Sequence, residues 1–154
     1  MTGKKSILAV VIATCAVLLQ QGSARAACSL GGASVAFGAY DSLVLQPFDT
    51  IGSMVFRCNQ KDHSVMITLS RGSGTSYATR RMLNGGQQLF YNLYRDVGRT
   101  IIWGDGSGGT QAYLISNPQP NNRDITVPIF GRIPAGQNVR IGDYTDTITI
   151  TLMF

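Results

Sequence analysis

Thr147-Ile148-Thr149-Ile150-Thr151-Leu152-Met153-Phe154 decides the fold. Ile148, Ile150, Leu152 and Phe154 fall on one face, and Thr147, Thr149 and Thr151 on the other, with Met153 as the exception. A repeat of two in β-branched residues is the mark of a strand with one buried face. The same period runs backwards through the chain. Ile125, Val127 and Ile129 alternate with Thr126, Pro128 and Phe130; Leu89, Tyr91 and Leu93 alternate with Phe90, Asn92 and Tyr94. Val65, Ile67 and Leu69 share a face, as do Met54, Phe56 and Cys58, and residues 34–37 make a shorter candidate. Pro128 predicts an edge or a bulge for its strand.

Between these runs stand turn signals: Gly31-Gly32, Arg71-Gly72-Ser73-Gly74, Asn84-Gly85-Gly86, residues 104–109, residues 117–122 and Pro134-Ala135-Gly136. Gly and Asn accept positive φ and Pro presets a turn. Arg80-Arg81 reads as a solvated turn leading into a strand. Nothing after residue 26 sustains a helical period, and the eight acids are all Asp, with no Glu and only three Lys. Long helices draw on Glu and Lys, so the expected class is all-β, an antiparallel sandwich or barrel. Apolar residues at 44% and charged residues at 14% exclude charge-driven disorder.

The first 26 residues read as an address. Lys4 and Lys5 precede an apolar run over residues 6–19, then a small-residue stretch containing Ala24-Arg25-Ala26. That is the form of a secretory signal peptide cleaved after Ala26, and the run is shorter than the roughly 20 residues of a membrane span. Two units follow: a leader at 1–26 and one domain at 27–154, exported and with no membrane span in its mature form. Cleavage removes Lys4, Lys5 and Arg25 and no acid, which lowers the net charge from +5 to +2. A nucleic-acid partner is therefore not indicated. Cleavage also removes Cys15 and leaves Cys28 and Cys58, an even count that reads as one disulfide in an oxidising compartment.

Enzymatic constellations are not found. There is no G-x-S-x-G elbow, and Gly104-Asp105-Gly106-Ser107-Gly108-Gly109 has no Lys-Ser/Thr ending, so it reads as a hairpin turn. His63, the one histidine, lies between Asp62 and Ser64. Neighbouring strand residues point to opposite faces, so those three make no triad. Asp143 and Asp146 also face opposite sides of a regular strand. No catalytic residue, metal site or cofactor is expected.

Several segments, taken in order, resemble one family. They are Cys28 followed by Phe37-Gly38-Ala39-Tyr40-Asp41, then Gly52-Ser53-Met54-Val55-Phe56-Arg57-Cys58, then Arg81-Met82-Leu83. Next come Leu89-Phe90-Tyr91-Asn92-Leu93-Tyr94-Arg95-Asp96 and Trp103-Gly104-Asp105-Gly106. The last are Phe130-Gly131-Arg132-Ile133-Pro134-Ala135-Gly136-Gln137 and Gly142-Asp143-Tyr144-Thr145-Asp146-Thr147. This order is similar to the spore coat protein U domain shared with Csu-type pilins of the archaic chaperone–usher pathway.

The resemblance implies an immunoglobulin-like sandwich lacking its last strand, and a structural or tip subunit of a surface pilus that supports adhesion or biofilm formation. It also implies a periplasmic chaperone, an outer-membrane usher and neighbouring pilin subunits as partners, with transit through the periplasm to the cell surface. Ile148, Ile150, Leu152 and Phe154 become the expected wall of the donor-strand groove or chaperone contact. Polymerising pilins carry a donor segment before the first cysteine, whereas cleavage after Ala26 leaves Ala27 alone there. The expectation is a subunit that accepts a strand and ends a fibre. Two other readings stand beside this one: a coat-type structural protein assembled without an usher, and a small carbohydrate-binding module reading a glycan through Trp103 and Tyr113.

Overall fold

The structure, a computed structural model, describes residues 28–59, 64–116 and 123–154. The leader at 1–26, Asp62, His63 and the turn at 117–122 lie outside the described residues.

Among the described residues there are nine strands and one 3-10 turn (Tyr77–Thr79): β1 (Cys28–Ser34), β2 (Phe48–Cys58), β3 (Val65–Leu69), β4 (Arg81–Asn84), β5 (Gln87–Phe90), β6 (Asn92–Tyr94), β7 (Tyr113–Ile115), β8 (Asp124–Ile133) and β9 (Ile150–Met153). All ladders are antiparallel. One sheet has the order β1-β2-β8-β6, a second β7-β3-β9, and β4-β5 forms a hairpin. The first two sheets share one core, with Met54, Phe56, Val127 and Ile129 from the first and Val65, Ile67 and Leu69 from the second. These are the inward positions of the period-two runs, and the fold is all-β as expected.

The β2–β8 ladder is the longest and runs from Phe48↔Ile133 to Arg57↔Asp124. Its outer face has an ion pair near each end. Arg57 reaches Asp124 at 2.6 Å, and Arg132 holds Asp49 through two bonds of 2.7 and 2.8 Å. The Arg132 hydrogen bond is the main reason the Asp49 carboxyl lies below the usual range. Exposed pairs add little stability, but opposite charges directly across a ladder disfavour a one-residue slip.

Four expectations need correction. Gly31-Gly32 is not a turn; it lies inside β1, where the register against β2 shifts between Leu30 and Gly32. Glycine serves a β-bulge as readily as a turn. The run 89–94 is not one strand. It breaks at Tyr91, so that β5 pairs with β4 and β6 with β8, while Leu89, Tyr91 and Leu93 all stay buried. The last strand begins at Ile150 rather than Thr147.

Arg80 is the fourth. It is not solvated but fully buried at 0% exposure. Its guanidinium donates to the Ser70 carbonyl at 3.1 and 2.8 Å, the Trp103 carbonyl at 2.7 Å and Asn92 Oδ1 at 3.0 Å, and it lies 5.3 Å from the Tyr77 ring. A planar fork of donors satisfies carbonyls from separate elements at one point, which a lysine ammonium cannot match in geometry. Burial lowers its pKa, opposed by Tyr91, Tyr77 and Asp146.

Pro128 conforms to expectation in an unforeseen way. Its strand is central by order, but β6 pairs only with residues 130–132, so β8 has a single neighbour at Pro128. A missing N–H can fall on the unpaired side at no cost to the ladder.

Cys28 and Cys58 are bonded and stand directly opposite in the β1–β2 register. They are 30 positions apart, so the cross-link removes about 3.6 kcal/mol of denatured-state entropy in the chain-closure treatment. Cys58→Ser is expected to lower stability by about that amount, read as a drop in melting temperature. An unchanged melting temperature would show the bond to be dispensable.

Candidate functional site: an apolar groove between two strand edges

β1 is the outer strand of its sheet and β9 the outer strand of the other. Among the described residues, neither has a partner on that outer side. A groove of about 280 Å³ separates residues 33–37, which carry on from β1, from residues 144–150, which lead into β9. Val35, Phe37, Leu69, Met82, Ile148 and Ile150 supply much of its apolar lining. Val35, Phe37 and Met82 also belong to a wider stretch of about 940 Å³, bounded by residues 38–43 and 139–143. Shared walls make the two one groove. Leu43 and Ile141 line the wide end, at 86% and 105% exposure.

The walls are held by specific bonds. Gly131 has no side chain where a Cβ would overlap the Phe37 ring, so Phe37 can sink beneath the groove and meet Tyr91 edge-on at 5.6 Å. Tyr40 Oη donates to the Pro134 carbonyl at 3.1 Å and accepts from Gln137 N–H at 2.9 Å. On the opposite wall Leu83 and Thr145 exchange both backbone bonds, and Ser70 N–H donates to the Thr149 carbonyl. Asp146 Oδ1 accepts from Ser73 N–H and Oγ–H at 2.9 Å each and from Thr147 N–H at 2.8 Å. Tyr91 Oη–H donates to Asp146 Oδ2 at 2.7 Å. Burial first, then the Asp146 bond, pushes the Tyr91 phenol far above its ordinary range.

The four expected groove residues divide. Ile148 and Ile150 line the groove and are half-buried. Leu152 shares their face and packs on the core. Phe154 is 50% exposed and lies outside both the groove lining and the core. Val35 and Phe37 form the facing wall. Their i, i+2 spacing in the short run 34–37 was the available signal, but it reads as a strand, and past Ser34 no strand forms there.

The glycan reading loses its main residue. Trp103 is not exposed but fully buried at 0%, because its indole Nε1–H donates to the Ile67 carbonyl at 2.9 Å inside the core. Tyr113 packs against it at 5.1 Å and has the Arg95 guanidinium 5.3 Å from its ring centre. An aromatic so engaged offers no free platform. Asp105 is also occupied, taking Ser107 N–H at 2.9 Å and Oγ–H at 2.6 Å within its own loop. Among the described residues there is no group of three or more metal-ligating side chains, and no helix long and apolar enough to cross a membrane.

An unpaired strand edge beside an apolar groove is the geometry at which an extended segment can add to a sheet. Residues 10–151 match the Spore Coat Protein U domain, and the chain belongs to that family. It is 37% identical over 147 residues to Protein U of Myxococcus xanthus, covering 83% of this chain and 78% of that protein. Its fold is similar to one in the CsuC–CsuE chaperone–tip adhesion subunit pre-assembly complex from the archaic chaperone–usher Csu pili of Acinetobacter baumannii. That match has a TM-score of 0.54 at 20% identity and covers 84% of this chain. The chain spans only 40% of the length of the matched chain.

Proposed function

We propose that the protein is a structural or tip subunit of a chaperone–usher surface fibre, and that the groove receives an extended strand from a neighbouring subunit after a periplasmic chaperone has occupied it. The outer-membrane usher and a position at the cell surface, in adhesion or biofilm formation, belong to the same reading. The supporting observation is the half-burial of Ile148 and Ile150 beside an unpaired edge. Apolar residues on the inner face of a finished sandwich are fully covered, whereas Ile148 and Ile150 are only half-covered. Leu43 and Ile141 extend the uncovered apolar surface, which a lone secreted domain would carry as an aggregation hazard. An incoming strand that buries four or five apolar side chains would contribute roughly 6–15 kcal/mol before its ordering entropy is subtracted.

Ile150→Asp is the test. A carboxylate there removes about 1.5–3 kcal/mol of apolar burial on complementation and adds an unpaired charge to the filled groove. The variant is expected to reach the periplasm with its disulfide formed and to be absent from fibres by immunogold labelling. Fibre incorporation at the wild-type level would remove the reading.

The family's spore-coat description and the Myxococcus relative favour a second reading, a coat protein assembled without an usher. Deleting the usher separates the two. The fibre reading expects loss of the protein from the surface, and the coat reading expects it to remain.

A further inference from the structure

Two residues break the alternation of their strands, and the fold brings them together. Val65, Ile67 and Leu69 of β3 and Ile150 and Leu152 of β9 turn inward, so Met66, Thr68, Thr151 and Met153 take the other face of the sheet. Thr68 stands directly opposite Thr151, and Met66 directly opposite Met153. Met66 also stands directly opposite the exposed Leu114 of β7. None of these three apolar residues belongs to the core or packs against it. Met66 and Met153 are 38% and 41% exposed, whereas the other methionines after the leader, Met54 and Met82, are enclosed at 0% and 9%. A thioether is soft and polarisable, and it oxidises where a reagent can reach its sulfur.

We propose that Met66 and Met153 form a paired modification site, at which hydrogen peroxide converts both thioethers to sulfoxides in the folded protein while Met54 and Met82 are spared. In each step a lone pair on Sδ attacks one peroxide oxygen. An S–O bond forms, the O–O bond breaks, and the proton of the transferred oxygen passes to the departing hydroxide, which leaves as water. Sulfur loses two electrons and peroxide gains them, one peroxide for each thioether. The product is a polar side chain. In a core that change breaks packing, but here no core contact depends on either side chain. The row Leu114–Met66–Met153 keeps only Leu114 as an apolar member, and the fold stays. Reduction of the sulfoxide restores the thioether, so this face of the sheet has two interconvertible chemical forms.

The mature chain is treated with millimolar hydrogen peroxide, quenched at intervals and digested, and the sulfoxide at each methionine is read from peptide masses. Met66 and Met153 are expected to react at rates within about threefold of each other, as their similar exposure requires. Both should react about tenfold or more faster than Met54 and Met82, which peroxide reaches only when the fold opens. The doubly oxidised protein is expected to melt within about 3 °C of the untreated protein, the scale of a change at exposed sites. It should also elute earlier from a hydrophobic-interaction column, whereas Met66→Leu/Met153→Leu protein treated in the same way should not shift. Oxidation of Met54 or Met82 as fast as the pair overturns the inference, and so does protection of either Met66 or Met153. These two outcomes are read on the wild-type chain and need no variant to fold. A fall in melting temperature well beyond the expected range, or an equal column shift in the treated double variant, also overturns it.

Discussion

Arg80→Ala is expected to destabilise the domain by about 3–5 kcal/mol, the range for removing one member of a buried, fully bonded charged cluster. This side chain donates four hydrogen bonds, two to the Ser70 carbonyl and one each to the Trp103 carbonyl and Asn92 Oδ1. Alanine takes this donor from the Ser70 and Trp103 carbonyls, leaves Asn92 Oδ1 with only the Leu93 N–H, and opens a void beside Tyr77. Each unmet buried acceptor costs about 1–3 kcal/mol, so the loss is dominated by the partners left behind and not by the arginine itself. Arg80→Lys should recover part of the loss, since an ammonium has donors but not the planar fork. The measurement is urea unfolding followed by the emission of Trp103, the one tryptophan in the chain. An unchanged midpoint for Arg80→Ala would mean that water replaces the guanidinium and that the cluster is not a structural centre.

Trp103→Ala is expected to cost about 3–5 kcal/mol, as large-to-small changes at buried aromatic sites do. The indole is fully enclosed, donates to the Ile67 carbonyl and supports Tyr113 on one side. Its loss takes away a packing partner from β3 and β7 together. Trp103→Phe should cost less, since it retains the ring and loses only the N–H donor and part of the area. Melting by circular dichroism distinguishes this core role from a role in ligand recognition. A variant that melts with the wild type would place the residue outside the core.

These two residues also mark where the sequence could be read and where it could not. Alternation identifies faces, and the faces were legible: Met54, Phe56, Val65, Ile67, Val127 and Ile129 are all buried as their spacing predicts. Alternation does not identify partners. Residues 89–94 keep one inward face while the backbone exchanges one partner strand for another at Tyr91, and no pattern of side chains signals that exchange. Arg80 was misplaced because charge outweighed spacing. It stands two before Met82, on the inward face of β4's own alternation, and the spacing was the better guide. Trp103 was misplaced because the glycan reading treats it as an exposed aromatic, whereas the core encloses it.

At the candidate site, the β9 wall was legible because its apolar residues are regularly spaced in one run. Asp146 was not, because its partners Ser73 and Tyr91 lie 73 and 55 positions away and no local pattern joins them.

The disulfide has a mechanical consequence. On the fibre reading proposed above, a strand seated in the groove would lie along the continuation of β1, and tension drawn through it would load β1 in shear. A ladder under load fails most easily by unzipping from a free end, one bond at a time. β1 has two ends, and the one at Cys28 is closed covalently to the strand beside it. Peeling can start only from Ser34, where β1 runs into the groove wall itself. In such a fibre the weakest point under load would be the wall that grips the occupant, and the far end of the strand would hold after that grip had begun to yield.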